Sequence, residues 1–412
     1  MPTVLFDVTR LFMREDLTTP TGIDRVTEAY GRWLLGRQGV RVVPVCTVGG
    51  FVSPMSLDRF KRVLAIGRPE RPVAETDWIR LTRALQSTPG EAETLRSTVD
   101  RNRRASDLAR YATFGVRALG SWRPVPIPSD ALFLNVSHYG LEQGGLLEGL
   151  TRKGVRPVAM VHDLIPIAHP EYCSESASGW HTRRIQTLLR HDALIIANSG
   201  STAEELRAWA AANNEPQPRM CVAPLGLEPI FTSGQTVGPV SRPYFICVGT
   251  IEPRKNLVFL LSIWRRLAAT LGDDTPWLIL AGKRGWENEE IIDHLDRSPP
   301  IRRFVHEVND LTDEQLARLI SGANALLAPS RAEGFDLPVA EAGALGTPVI
   351  GSDIPVHREL ARAATLLDPM DGPAWLAAIE SAAKSRARTP VAAPPSWDAH
   401  FAIVGEALGL GS

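Results

Sequence analysis

At 412 residues the chain is too long for one ordinary hydrophobic core, so two domains of roughly 200 residues are expected. Lys plus Arg number 45 against 46 Asp plus Glu, a formal net charge of -1 that lacks the basic excess of a nucleic-acid-binding protein. The four cysteines (Cys46, Cys173, Cys221 and Cys247) form no CxxC pair, which argues for reduced, mostly buried thiols and against a zinc site.

In chain order, residues 1–9 enter a strand-like run at once, without the basic n-region and long apolar stretch of a signal peptide. No apolar stretch approaches the ~20 residues that span a bilayer. A cytoplasmic protein is expected, at most peripheral to the inner membrane face. Apolar runs lie at residues 4–8, 40–45, 132–136, 158–161 and 193–197, and again at 244–248, 277–281, 325–328 and 348–350. Each is followed by a turn and a helical pattern, which predicts parallel strands buried on both faces by crossover helices. Residues 55–122 are less regular and helix-prone, and read as an insertion in the first domain. They carry Arg101, Arg103, Arg104, Arg110 and Arg117, with Arg123 just beyond, among Leu108, Tyr111, Phe114 and Leu119. Such a segment is either a solvated helix face, the commoner case, or a surface for an anionic membrane or acidic acceptor. The Gly-, Pro-, Ser- and Thr-rich stretch near residues 228–243 predicts a linker. A first domain at residues 1–228, a linker at 229–243, a second domain at 244–395 and a final segment at 396–412 follow. A Pro/Ala-rich stretch, 389–395, precedes Trp397 and the last helical pattern.

Four constellations carry chemistry. The run from Pro329 through Glu333, Gly334, Phe335, Asp336, Leu337 and Pro338 to Glu341 follows a strand and opens a helix. Asp336 is placed as its N-cap and Pro338 in its first turn. The free amides there suit an anion or sugar hydroxyls. Glu333 and Glu341 can accept hydrogen bonds at separate points of one extended ligand, although such a pair alone equally fits a capped helix. Next, Gly249 and Thr250 end a strand, and Arg254 and Lys255 open the following helix, where they can neutralise a diphosphate. His162 ends another buried strand, where doubly wound folds place their ligand crevice, with Asp163 either orienting the ring or capping the next turn. Finally, Thr19, Pro20, Thr21, Gly22 and Arg25 lie between the first strand and an amphipathic helix; Arg25 suits an anion or acceptor, or the surface.

The spacing from Glu333 to Glu341 resembles the E-x7-E motif of retaining glycosyltransferases of the GT-B fold, family 4, and residues 313–329 and 342–359 resemble the segments flanking it. The resemblance covers about three quarters of the chain and leaves out residues 55–122. It implies an α/β protein of two Rossmann-like doubly wound domains facing a central cleft, with the C-terminal helix crossing back to the first. It further implies that Glu341 holds the ribose hydroxyls, and that Glu333 and the amides of Gly334, Phe335, Asp336 and Leu337 meet the donor sugar. Lys255, six residues after Gly249, is implied to bind the diphosphate. The family usually has Arg where this chain has Thr250, which makes Arg254 the candidate substitute. His162 is implied to contact the donor sugar across the cleft, and Thr21, Gly22 and Arg25 to form a loop over phosphates and acceptor.

The expected reaction is a metal-independent, retaining hexosyl transfer from a nucleoside-diphosphate sugar to a glycan or lipid-linked acceptor, with no cofactor. Counter-charge for the leaving diphosphate would come from Lys255, Arg254 and helix N-termini. The resemblance to bacterial mannosyl- and rhamnosyltransferases of surface-polysaccharide assembly favours GDP-mannose, with dTDP-rhamnose or a UDP-sugar as alternative donors. Competing readings are a GT-B nucleotide-sugar epimerase, a phosphorylase, or a non-catalytic nucleotide-sugar binder.

Overall fold

The apolar runs become the interior strands of two separate sheets. The computed structural model describes residues 1–15, 21–66, 77–87, 94–96, 127–232, 234–361, 363–385, 388 and 395–411. Thr19, Pro20, the basic segment 101–123 and residues 389–394 lie outside them.

The first sheet comprises β1 (Thr3–Asp7), β2 (Arg41–Val48), β3 (Phe51–Pro54), β4 (Leu132–Asn135), β5 (Arg156–Val161), β6 (Leu194–Ala197) and β7 (Arg219–Val222), in the order β3-β2-β1-β4-β5-β6-β7. Every pairing is parallel except β2 with β3, a hairpin at the edge. The second sheet comprises β8 (Tyr244–Val248), β9 (Trp277–Ala281), β10 (Val305–Val308), β11 (Ala325–Ala328), β12 (Val349–Ser352) and β13 (Thr365–Leu367), all parallel, in the order β10-β9-β8-β11-β12-β13. Strand order reverses between β1 and β4 in one sheet and between β8 and β11 in the other. At such switch points the loops leaving the carboxyl ends diverge and open a crevice.

Each sheet is buried on both faces. One core surrounds β8–β13, and two clusters flank β1–β7. The final helix, Trp397–Leu408, packs on the first domain: Trp33 stacks on Phe401 with ring centroids 4.7 Å apart, and Tyr30 Oη and His400 Nε2 are hydrogen-bonded at 2.8 Å. His400 Nδ1 also lies 3.0 Å from the carbonyl of Pro224, and burial pushes the imidazole down to about 4.

Only part of the expected insertion stays with the first domain, where Phe60 of the helix Leu57–Ile66 is buried. Leu81, Ala84 and Leu85 of the helix Asp77–Gln86, together with Leu95, are buried in the core of the second sheet. The Leu95 amide donates to His306 Nδ1 at 3.2 Å, and the Glu307 amide donates to the Leu95 carbonyl at 3.0 Å, along the β10 edge. The Arg96 guanidinium donates to the Val305 carbonyl at 2.6 Å. The physical reason is the edge itself: β10 has backbone groups on its outer side that β9 does not pair, and Leu95 and Arg96 satisfy those of Glu307 and Val305. Amphipathicity announces a buried face but not which core it meets.

Candidate functional site

In the second domain, the turn after β8 sets two cations side by side. Gly249 has φ +135, and a Cβ there would lie 2.8 Å from Lys255 Cε, so a glycine is needed for the lysine to run past the strand end. One turn, Pro253–Lys255, then places Arg254 and Lys255 under the loop after β11. Lys255 Nζ lies 2.7 Å from Glu333 Oε1 and 3.5 Å from Asp336 Oδ1. Arg254 contacts Glu333 Oε2, donates to the Ala332 carbonyl at 3.0 Å and pairs with Glu252 Oε1 at 2.7 Å.

Glu333 is thus gripped by two cations. Burial favours its protonated form, but Arg254 and Lys255 outweigh burial and hold it below the usual carboxylate range. In the same way the carboxylates overcome the burial of Lys255 and Arg254 and hold both firmly protonated. Arg254, expected as a substitute for the residue that Thr250 replaces, does stand against Glu333. Thr250 itself contributes its methyl to packing near Gly285.

Asp336 stands at the N-cap position of the helix Leu337–Ala344 but does not cap it. Its φ is +61, and its side chain makes no capping bond. The left-handed backbone turns the carboxylate toward Lys255 and toward His357 Nε2, 3.0 Å away, while His357 Nδ1 donates to the Ser352 carbonyl at 2.8 Å. Burial alone would depress His357, but Asp336 raises it above the usual histidine range. Asp336 is correspondingly held far below the usual carboxylate range against its own burial, chiefly by Lys255 and then by His357.

Phe335, whose amide was expected on the donor, buries its ring in a core cluster of the first domain and leaves its backbone to the loop. Leu337 packs against the same cluster. Glu341 is buried at 2% exposure, and burial pushes its carboxyl up to about 7 with help from Asp313 and against the pull of Arg25. Its Oε2 has no hydrogen-bond partner among the described residues.

The first domain meets this loop directly. A Cβ added to Gly334 would lie 1.9 Å from the His162 carbonyl oxygen, so the backbones touch where β5 ends. Ser199 Oγ donates to the Gly334 carbonyl at 2.7 Å, and the amides of Gly200 and Ser201 donate to the Glu359 carboxylate at 2.9 and 3.1 Å. These amides open the helix Gly200–Ala212, whose N-terminus favours an anion. His162 Nε2 donates to the Val136 carbonyl at 2.8 Å. Its ring centroid lies 5.0 Å from that of His138, which in turn lies 5.5 Å from His181. Burial keeps all three imidazoles below the usual histidine range. Asp163 caps the next turn through the Ile165 amide at 3.1 Å rather than holding the His162 ring.

Thr21 and Asp24 form a capping box at the start of the helix Gly22–Gly36, with the Thr21 amide on Asp24 Oδ2 at 2.8 Å and the Asp24 amide on Thr21 Oγ1 at 3.4 Å. Gly22 then abuts Leu337. Arg25, expected on an anion, an acceptor or the surface, is spent on carboxylates of the second domain: Glu341 Oε1 at 2.7 Å and Asp313 Oδ1 at 2.5 Å. His162, Gly334, Glu333, Lys255, Arg254, Glu341 and Gly22 therefore converge where the two sheets' carboxyl ends meet.

Sequence reasoning missed His357, Glu252, Asp313 and Glu359. His357 and Glu359 stood in the matching flank, and Glu252 beside Arg254, but nothing in their spacing named their partners. Among the described residues, no group of three or more His, Cys, Asp or Glu is arranged to hold a metal, and no helix is long and apolar enough to cross a membrane.

Residues 242–385 match the family described as glycosyl transferases group 1. The chain is 30% identical over 235 residues to the serotype-specific mannosyltransferase WbdA of Escherichia coli, covering 52% of this chain and 28% of WbdA. It is 29% identical over 227 residues to the O-antigen chain mannosyltransferase B of Escherichia coli, covering 52% of this chain and 58% of that protein. The chain thus spans little more than a quarter of the first relative's length. Among solved structures, sucrose-phosphate synthase from Thermosynechococcus elongatus aligns with 100% of this chain and 97% of its own, with a TM-score of 0.59 at 16% identity. Two parallel-sheet domains facing each other are the GT-B fold that the sequence led us to expect.

Proposed function

We propose that this chain, whose residues 242–385 form a domain of the glycosyl transferases group 1 family, is a retaining hexosyltransferase. It moves mannose from GDP-mannose to a glycan or lipid-linked acceptor and needs neither metal nor cofactor. The observation that carries this reading is Glu333 held between Lys255 and Arg254, one residue from the Gly334–His162 contact. Such a site offers fixed positive charge for a departing diphosphate and a neutral imidazole for sugar hydroxyls in one water-poor gap. The mannosyltransferase relatives support the choice of sugar.

In this scheme Glu341 takes the ribose hydroxyls, and the amides opening the helix Leu337–Ala344 take the diphosphate and donor sugar. Lys255 and Arg254 turn from Glu333 toward the phosphate oxygens as the sugar–phosphate bond breaks. Glu333 positions the sugar and is not a covalent nucleophile. The acceptor oxygen attacks from the face that the phosphate leaves, its proton passes to that phosphate, and the anomeric configuration is kept.

The test is incubation of the purified protein with GDP-mannose, dTDP-rhamnose and UDP-glucose in EDTA, followed by NMR. Slow release from one donor of a sugar that keeps that donor's anomeric configuration, without a free epimer, supports a retaining transferase and names the donor. A sugar epimer, a product of inverted anomeric configuration, or binding without turnover would overturn it.

A further inference from the structure

Arg25 and Glu341 are 316 residues apart in sequence and belong to different domains, yet they share a largely enclosed ion pair. The Arg25 side chain is 14% exposed and that of Glu341 2%. The guanidinium lies over the ring of Phe231, 5.5 Å from its centroid, in the linker between the domains. One of its terminal nitrogens reaches Asp313 at 2.5 Å and the other Glu341 Oε1 at 2.7 Å. This arrangement spends one oxygen of Glu341 and leaves Oε2 buried with no partner among the described residues. A buried carboxylate oxygen of this kind is a strong acceptor that needs a donor.

We infer that Arg25 is a positioning residue for nucleotide recognition: reaching over from the first domain, it holds Glu341 so that Oε2 accepts the hydroxyls of a ribose diol. The inference rests on the reading above that Glu341 takes the ribose. The groups facing Glu341 support it. Burial, Asp313 on the helix Asp313–Gly322 and Asp336 on the preceding loop all favour the protonated acid, and Arg25 opposes them. Glu228, at the end of the first domain, lies near Arg25 and reinforces its charge. Without Arg25 the carboxyl would titrate higher still, and a neutral acid accepts far more weakly. Because the guanidinium comes from the other domain, the ribose site is complete only when the domains abut, so nucleotide binding and domain juxtaposition favour each other reciprocally.

The test is calorimetric titration of the wild type, Arg25→Gln, Arg25→Lys, Glu341→Gln and the Arg25→Gln/Glu341→Gln double variant. The probes are GDP, UDP and their 2′,3′-dideoxy forms. Expected for Arg25→Gln at pH 7 is a loss of about tenfold in affinity for the ribose nucleotide and less than about twofold for the dideoxy form, given the strength of charge-assisted hydrogen bonds. The deficit narrows toward pH 9 as Glu341 ionises, Arg25→Lys restores part of it, and the double variant binds like Glu341→Gln. A direct contact of Arg25 with phosphate would instead weaken ribose and dideoxy nucleotides alike, also in the Glu341→Gln background, and overturn the inference while leaving Glu341 on the ribose. If Glu341→Gln discriminates no less between ribose and dideoxy nucleotides than the wild type does, the ribose reading falls and this inference with it.

Discussion

The two faces that meet at the His162–Gly334 contact are built from different chemistry. On the second domain, Glu252, Arg254, Lys255, Glu333, Asp336 and His357 form a lattice of paired charges in which each ion is stabilised by its neighbours. On the first domain, His138, His162 and His181 cluster as neutral rings, because burial outweighs every attraction to a proton. Buried charge is tolerated only where counter-charge is supplied. The contrast teaches that one half of the site keeps its charges by pairing them, whereas the other keeps its titratable rings uncharged; the proposed function assigns the anion to the first and sugar hydroxyls to the second.

Removing charge from the ionic face tests that division most severely. Glu333→Ala and Lys255→Ala should each lower donor turnover by about 10²–10³, with nucleotide affinity changed only a few-fold, as measured by single-turnover kinetics and calorimetry. Equal losses in affinity and turnover would show that the lattice merely binds. Forcing the faces apart comes next. Gly334→Ala leaves every ionisable group in place but collides with the His162 carbonyl, and should cost about 10² in kcat through misalignment. Unchanged kcat would mean that the contact is not needed for turnover. Glu341→Ala should weaken nucleotide binding about tenfold and leave kcat within a few-fold.

The smallest effect on the reaction is expected from His357→Gln, which probes the lattice through stability. Asp336 is lowered from its ordinary 3.8, so its contribution is present above that value and is lost as pH falls through its folded pKa. His357 is raised from 6.5, so its contribution is full below that value and is lost as pH rises through its folded pKa. The substitution should therefore cost about 1–2 kcal/mol in urea unfolding at pH 5 and less at pH 8.5. A cost that does not change with pH would remove the ion pair from the argument.

The sequence disclosed the interior of each sheet but not its margins. The apolar runs marked β1, β2, β4, β5 and β6, and β8, β9, β11 and β12. The strands left unread, β3, β7, β10 and β13, are the four sheet edges. Edge strands need not be apolar on both faces: β7 and β13 are only partly buried, and β10 carries His306 and Glu307, the latter bound by Arg284 at 2.8 Å. At the site, Lys255, Arg254, Glu333, Glu341 and His162 were legible chiefly because they stand in or beside the segments that carry the resemblance to the glycosyltransferase family. The partnerships of Arg25 with Asp313 and of Glu359 with Gly200 were not, since they join residues 288 and 159 positions apart. The left-handed turn at Asp336 was likewise hidden, because Asp before a helix ordinarily reads as a cap.

The two segments that cross between the domains have a practical consequence for dissection. The helix Asp77–Gln86 and Leu95 finish the core that β8–β13 begin, while Trp397 and Phe401 roof the domain that β1–β7 begin. Cutting the gene at the linker would strip each product of apolar groups encoded on the other side, so both fragments should aggregate when made alone. Mixed together, they would have to exchange arms before either could refold.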